Sequence, residues 1–247
     1  MSLRRATSNN TDQIITTGRY DPRLVSELNG KGYYVSTAQG FLDVLNQFRT
    51  MASCGRIYIH LAAGTYNFTS GIQFRNWNTG NATGIFIEGS GVDSTILNFT
   101  GIADYTGCID MQDSGVLHFF KGFTVNQTVT KSHQEGIRCQ TSRCIIETVK
   151  VTNCDEGITA GTGGHVTLYG NITTNNCNIG LYSVADMYHG YGTVHTANTC
   201  NYGMSAASGG RIAMMSTNRM YTDVPNLCTP SLGASTGNGW IAGYWYA

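Results

Sequence analysis

The chain has 247 residues, enough for one large domain that builds its own core. Fifteen basic residues balance fifteen acidic ones and charged residues make up only 12%, against about 25% in typical soluble domains. Binding to nucleic acid through phosphate contacts is therefore not expected. Polarity comes from Asn, Thr, Ser and 31 Gly, a mixture that disfavours a helical bundle. No apolar run approaches the roughly 18 residues of a membrane span, so no membrane insertion is expected.

Residues 1–35 are polar and punctuated by Asn9-Asn10-Thr11, Thr16-Thr17-Gly18 and Asn29-Gly30. Arg4 and Arg5 are followed by no apolar segment, so the start does not read as a secretory leader. The stretch reads either as a flexible tail or as an arm anchored by Ile14, Ile15, Leu24, Val25 and Leu28. Residues 36–53 carry Phe41, Leu42, Leu45 and Phe48 at the spacing of an amphipathic helix, which Gly55 ends. Short apolar runs follow at residues 56–66, 84–91 and 94–97, rich in Ile, Phe, Tyr and Thr and bounded by Gly and Ser, as strands are.

A repeat then emerges. Asn153-Cys154-Asp155-Glu156-Gly157-Ile158 is echoed by Asn176-Cys177-Asn178-Ile179-Gly180-Leu181 and by Thr199-Cys200-Asn201-Tyr202-Gly203-Met204. The step is 23 residues for both the Cys and the Gly, and Glu135-Gly136-Ile137 is a fainter earlier copy. A period in this range marks a solenoid. Between repeats there is room only for strands of three to six residues, which excludes helical repeats. The expected fold is all-β: a single-stranded right-handed parallel β-helix of about seven coils and about 23 residues per coil, capped by the helix. Cys154, Cys177 and Cys200, with Gly157, Gly180 and Gly203, then form structural ladders. The thiols read as small buried hydrophobes, with disulfides between neighbouring coils as the alternative. After Met220 the repeat fades into a Gly- and Ser-rich stretch ending in Trp240, Tyr244, Trp245 and Tyr246, which reads as a closure of the open end or as subunit packing. The chain thus divides into an arm at 1–35, a capping helix at 36–53, a parallel β-helix at 54–217 and an aromatic closure at 218–247.

The helix, followed by Ile57-Tyr58-Ile59-His60-Leu61-Ala62-Ala63-Gly64-Thr65-Tyr66 and by Ile85-Phe86-Ile87-Glu88-Gly89-Ser90-Gly91 with Ser94-Thr95-Ile96-Leu97, resembles the opening of the pectate-lyase-like right-handed β-helix family. Within it the chain is most similar to bacteriophage tailspike and tail-fibre proteins, over roughly residues 33–216. The resemblance implies a homotrimer on a virion, joined to other virion proteins through the N-terminal arm and binding a host-surface polysaccharide. Its rivals are a depolymerising tailspike, either lyase or glycoside hydrolase, and then a secreted pectate-lyase-like enzyme. Fold alone does not choose among them.

The residues that carry chemistry are sparse. Cleavage of a glycosidic bond by hydrolysis needs paired carboxylates, and the candidates are Asp110, Asp113, Glu135, Glu147, Asp155, Glu156 and Asp186. Asp155 and Glu156 are adjacent and read as solvated turn residues. The polygalacturonase, pectin methylesterase and calcium-dependent lyase motifs are not recognisable, so the catalytic residues are unassigned. The six His show no metal-ligand spacing, and no phosphate-binding glycine pattern lies between a strand and a helix, so neither metal nor cofactor is expected. Tyr182, Tyr188, His189, Tyr191 and Tyr202 crowd two neighbouring repeats and are the candidate glycan-binding residues, since flat rings stack on sugars; packing inside the solenoid or between subunits is the alternative.

Overall fold

The computed structural model describes residues 33–49, 56–75, 84–115, 117–128, 132–214, 218–222, 226–229 and 239–242. Strand β1 (Tyr33–Val35) and helix α1 (Ala38–Arg49) precede seven coils of three strands. The first coil holds β2 (Arg56–Leu61), β3 (Gly64–Phe68) and β4 (Ile72–Arg75), and the second β5 (Gly84–Gly89), β6 (Thr95–Phe99) and β7 (Thr106–Gln112). The third holds β8 (Leu117–Lys121), β9 (Thr124–Gln127) and β10 (Gln134–Gln140), and the fourth β11 (Arg143–Glu147), β12 (Lys150–Thr152) and β13 (Glu156–Ala160). The fifth holds β14 (His165–Tyr169), β15 (Asn171–Asn175) and β16 (Ile179–Ser183), and the sixth β17 (Asp186–His189), β18 (Val194–Asn198) and β19 (Tyr202–Ala206). The seventh holds β20 (Gly210–Ala213), β21 (Arg219–Thr222) and β22 (Asn226–Thr229), and β23 (Gly239–Ala242) follows it.

Every strand pairs in parallel with its equivalents one coil away. Sheet A runs β1-β2-β5-β8-β11-β14-β17-β20-β23, sheet B runs from β3 to β21, and sheet C from β4 to β22. This is a right-handed parallel β-helix capped by one helix. The last three strands continue all three sheets beyond the point where the sequence repeat fades. Strand β1, at the end of the expected arm, already pairs with Ile59–Leu61. Residues 1–32 lie outside the described residues, as do the side chains of Cys54, Cys228, Phe48 and the terminal aromatics.

The repeated motif has a physical cause at each position. Asn153 and Asn176 take left-handed φ of 61° and 51° at the corner from sheet B to sheet C, and Thr199 takes 51°; Asn tolerates this conformation best among residues with a Cβ. The Asn amides also form a file: Asn98 donates to Asn67 at 2.9 Å, Asn126 to Asn98 at 2.7 Å, Asn153 to Asn126 at 2.8 Å and Asn176 to Asn153 at 2.7 Å. Next in the motif, Cys154, Cys177 and Cys200 are buried thiols, each donating to the carbonyl two residues earlier at 3.4 Å. Contact with neighbouring thiols, together with burial, holds Cys154 and Cys177 well above the usual thiol range. The glycine answers to space. A Cβ on Gly136 would lie 2.5 Å from the carbonyl oxygen of Gly157, one on Gly180 would lie 2.6 Å from that of Gly203, and Gly157 faces Gly180 in the same way.

The interior is graded along the axis. The fully buried Phe and Tyr side chains, Tyr33, Phe41, Tyr66, Phe74, Phe99, Phe120 and Phe123, all lie before residue 124 among the described residues. Phe68 stacks on Phe99 with centroids 5.0 Å apart, and Phe41 of α1 meets Phe68 edge-on at 6.2 Å, which seats the cap. Later coils fill the same lumen with Ile, Leu and Met such as Ile158, Leu168, Leu181, Met187 and Met204, with Ala197, Thr174 and Ser183 between them, and with two histidines.

Replacing Gly180 by Ala drives a methyl into the backbone of the next coil. We expect a loss of roughly 2 kcal/mol, or about 4–8 °C in Tm for a chain of this size, measurable by thermal denaturation.

Candidate functional site

The outer face of sheet C collects the charged residues that the sequence scatters. Ile109 and Met111 of β7 point inward, so Asp110 between them faces the other way. Strand register then aligns Gln73, Asp110, Arg138, Thr159, Tyr182 and Ser205 in one row across six coils. Beside that row Glu135 lies directly opposite Glu156.

These side chains form one cluster. Asp110 is fully buried, its Oδ2 2.8 Å from Arg75 Nη2 and its Oδ1 3.6 Å from Arg138 Nε. Arg138 Nη1 lies 3.7 Å from Glu135 Oε1, and its guanidinium also donates to the Tyr105 carbonyl and to Gln140. Thr159 Oγ1 donates to Glu156 Oε2 at 2.9 Å. Asp110 Oδ1 and Glu135 Oε2 are buried without a hydrogen-bond donor. Burial, reinforced by the charge of Glu156, pushes the Glu135 carboxyl up to about 8 against the pull of Arg138. Burial pushes Glu156 up to about 7, with Thr159 pulling it down. Burial and these two carboxylates also raise the Tyr182 phenol. Carboxyls poised near neutrality in a cluster of this kind are candidates for proton transfer.

Two surface features flank the cluster. At the corner leading from sheet B, Tyr105 and His133 both hold left-handed backbones, φ 60° and 62°, and stack with centroids 4.5 Å apart and planes 11° apart. Tyr105 is 66% exposed, and the His133 N–H donates to Asp155 at 2.6 Å. At the corner leading to sheet A, an open groove of about 760 Å³ crosses five successive coils along the solenoid axis. Its lining includes Ser114, Thr141, Arg143, His165, Asp186 and Gly209. Arg143, His165, Asp186 and Arg211 align across sheet A. Asp186 is held by Arg211 through two contacts of 2.8 Å, so Arg143 supplies the exposed cationic edge of the groove.

The five aromatic candidates do not form one platform. Tyr182 stands in the sheet C row beside the carboxylates. Tyr188 lies half-buried on the outer face of sheet A, its hydroxyl accepting from Arg211 Nη2 at 3.0 Å and its ring 5.1 Å from that of His165. His189 points into the lumen, 2% exposed. Tyr191 is 76% exposed at the corner between sheets A and B, and Tyr202 begins β19 opposite Ile179. Glu156 differs from the turn residue expected: it opens β13 and is half-buried. The signal for the Glu135–Glu156 pairing was present in the faint repeat, where Gly136 aligns with Gly157 and each is preceded by Glu.

Among the described residues no group of three or more His, Cys, Asp or Glu is placed to hold a metal ion, and no helix is long and apolar enough to cross a membrane. No protein-family model, curated protein or solved structure matches the chain. The strand topology itself defines the class: a right-handed parallel β-helix solenoid.

Since Glu156 carries a charge that raises Glu135, the Glu156→Gln variant should shift the Glu135 titration below its value near 8. Carboxyl-carbon NMR across pH 4 to 10 reads this directly.

Proposed function

We propose that the chain is a β-helical virion appendage of the tail-fibre or tailspike kind that binds a host-surface polysaccharide. The observation that carries this reading is the groove across five corners. A solenoid advances about 4.8 Å per coil, close to the length of one sugar unit in an extended glycan, so successive sugars meet equivalent backbone and side-chain positions. Gly209, beside which a Cβ would meet nothing, helps keep the groove open, His165 offers a hydrogen-bonding ring, and Arg143 suits an acidic substituent. Attachment to a particle through the N-terminal arm, residues 1–35, and assembly as a homotrimer belong to the same reading and rest on the resemblance of the opening strands to phage fibres.

Cleavage of a glycan that reaches across the outer face of sheet C, beyond the groove, is the second reading, favoured by the Glu135–Glu156 pair. At neutral pH Glu135 is mostly protonated and Glu156 is near half-ionised. Glu135 would give its proton to the glycosidic oxygen as the bond to the anomeric carbon breaks. Glu156, one strand spacing away and so nearer the short separation of retaining enzymes, would attack that carbon, and water would then release the sugar while giving its proton to Glu135. Arg138 and Thr159 hold the two carboxyls in place.

Binding to purified host-surface polysaccharide should fall about tenfold in Arg143→Ala, the loss typical of a charge-assisted hydrogen bond, while Tyr191→Ala binds as wild type. Equal binding by wild type and Arg143→Ala would remove the groove from the argument. Light scattering should give a mass near three times 26.7 kDa. For the second reading, reducing ends should appear with wild type and disappear with Glu156→Gln, binding being retained.

A further inference from the structure

The inner face of the sixth coil carries two imidazoles. His189 ends β17 and His195 lies in β18, on either side of the corner between sheets A and B, with ring centroids 6.3 Å apart. Both are fully buried. Thr193 and Asn218 close the corner beside them: the Asn218 amide donates to the His189 carbonyl at 2.9 Å and accepts from the Thr193 N–H at 3.1 Å. His195 Nε2 shares a 3.0 Å hydrogen bond with Thr174 Oγ1. Among the described residues neither ring nitrogen of His189 has a partner, nor does His195 Nδ1.

Among the described residues no counter-charge reaches this pair. The inward neighbours on the preceding coil are Leu168, Ile172 and Thr174, and across the lumen stand Leu181 and Met204. Among the described residues the titratable groups on this side are the two rings themselves and, beyond Thr174, the Cys200 thiol, whose Sγ lies 4.0 Å from Thr174 Oγ1. Among the described residues of the fifth to seventh coils Asp186 is the one carboxylate, and it lies on the outer face of sheet A bound to Arg211. His165 and Tyr188 share that outer face.

We propose that the His189–His195 pair is an acid-sensitive latch: protonation of either ring places an uncompensated charge in the lumen and opens the sixth and seventh coils while the first four stay closed. Burial holds His189 down at about 4, and burial with the neighbouring ring holds His195 at about 3. Opening returns each ring to the ordinary histidine value near 6.5, so the open form binds more protons below that pH and closure weakens as pH falls. At pH 5 this favours opening by about 30-fold per ring. The third and fourth coils respond in the opposite sense through Glu135 and Glu156. Their folded carboxyls are raised, so their contribution is intact in acid and is lost as pH rises through about 7 and 8. His118, in the third coil between Phe74 and Phe120 with Ser114 at Nε2, works against these carboxyls, one ring against two.

Hydrogen exchange on the full chain at pH 7.5 and 5.0 tests the latch. Corrected for intrinsic rates, protection across residues 186–213 should fall by two to three orders of magnitude at pH 5.0, while that of residues 57–160 should hold or rise. The double variant His189→Met/His195→Leu should keep its protection at both pH values. An even loss along the chain, no loss at all, or the same loss in the double variant overturns the proposal. If the double variant does not fold, histidine NMR titration of the wild type decides: both rings must titrate well below 6, and a midpoint near 6.5 in the folded protein overturns the latch.

Discussion

One constraint governs this molecule: parallel strands stacked in register at a single spacing bring every residue against its own equivalent one coil above and one below. The same choice made once must therefore be made again. Glycine lies on glycine because a carbonyl of the next coil occupies the space of a Cβ. Asparagine lies on asparagine because each amide needs a partner at the same height. Thiol lies on thiol because the inner corner admits only a small apolar group. Stability in such a fold is a sum over neighbouring coils, and a fault at one rung is felt by two interfaces.

The same stacking makes the candidate site. Two glutamates on consecutive coils would ordinarily avoid each other, yet register sets Glu135 opposite Glu156. Their mutual charge and half-burial keep at least one proton between them at neutral pH, while Arg75 and Arg138 enclose the buried Asp110. A buried carboxylate between two guanidiniums contributes little net stability but fixes geometry, because removing either partner strands a charge. The cluster is thus held rigidly between the exposed Tyr105–His133 stack and the axial groove.

Much of the architecture was legible in the residues themselves. The helix stripe of Phe41 and Leu45 and the Cys and Gly steps specified the cap, the solenoid and the register of sheet C. The early coils were less legible because their corners take up insertions: paired Asn98 and Asn67 are 31 residues apart and Asn126 and Asn98 are 28 apart, whereas Asn176 and Asn153 are 23 apart. Pairing survives such insertions, but the period does not. The site was harder for a related reason. Tyr182, Tyr188, Tyr191 and Tyr202 are close in sequence, but a chain that turns through three sheets and alternates faces sends near neighbours to different surfaces. Residues one coil apart, such as Asp110 and Arg138 or Glu135 and Glu156, are the ones that meet.

The asparagine file also gives the solenoid a direction. In each rung from Asn176 to Asn67 the amide of the later coil donates and that of the earlier coil accepts, so the side-chain dipoles align instead of cancelling. Hydrogen bonds in such a series polarise one another, and the file carries partial positive charge toward the helix-capped end and partial negative charge toward the far coils. The two ends of the rod are therefore electrically distinct even though the chain as a whole carries no net charge. A neighbour docking end-on would meet a different field at each end, which is enough to tell one orientation from the other.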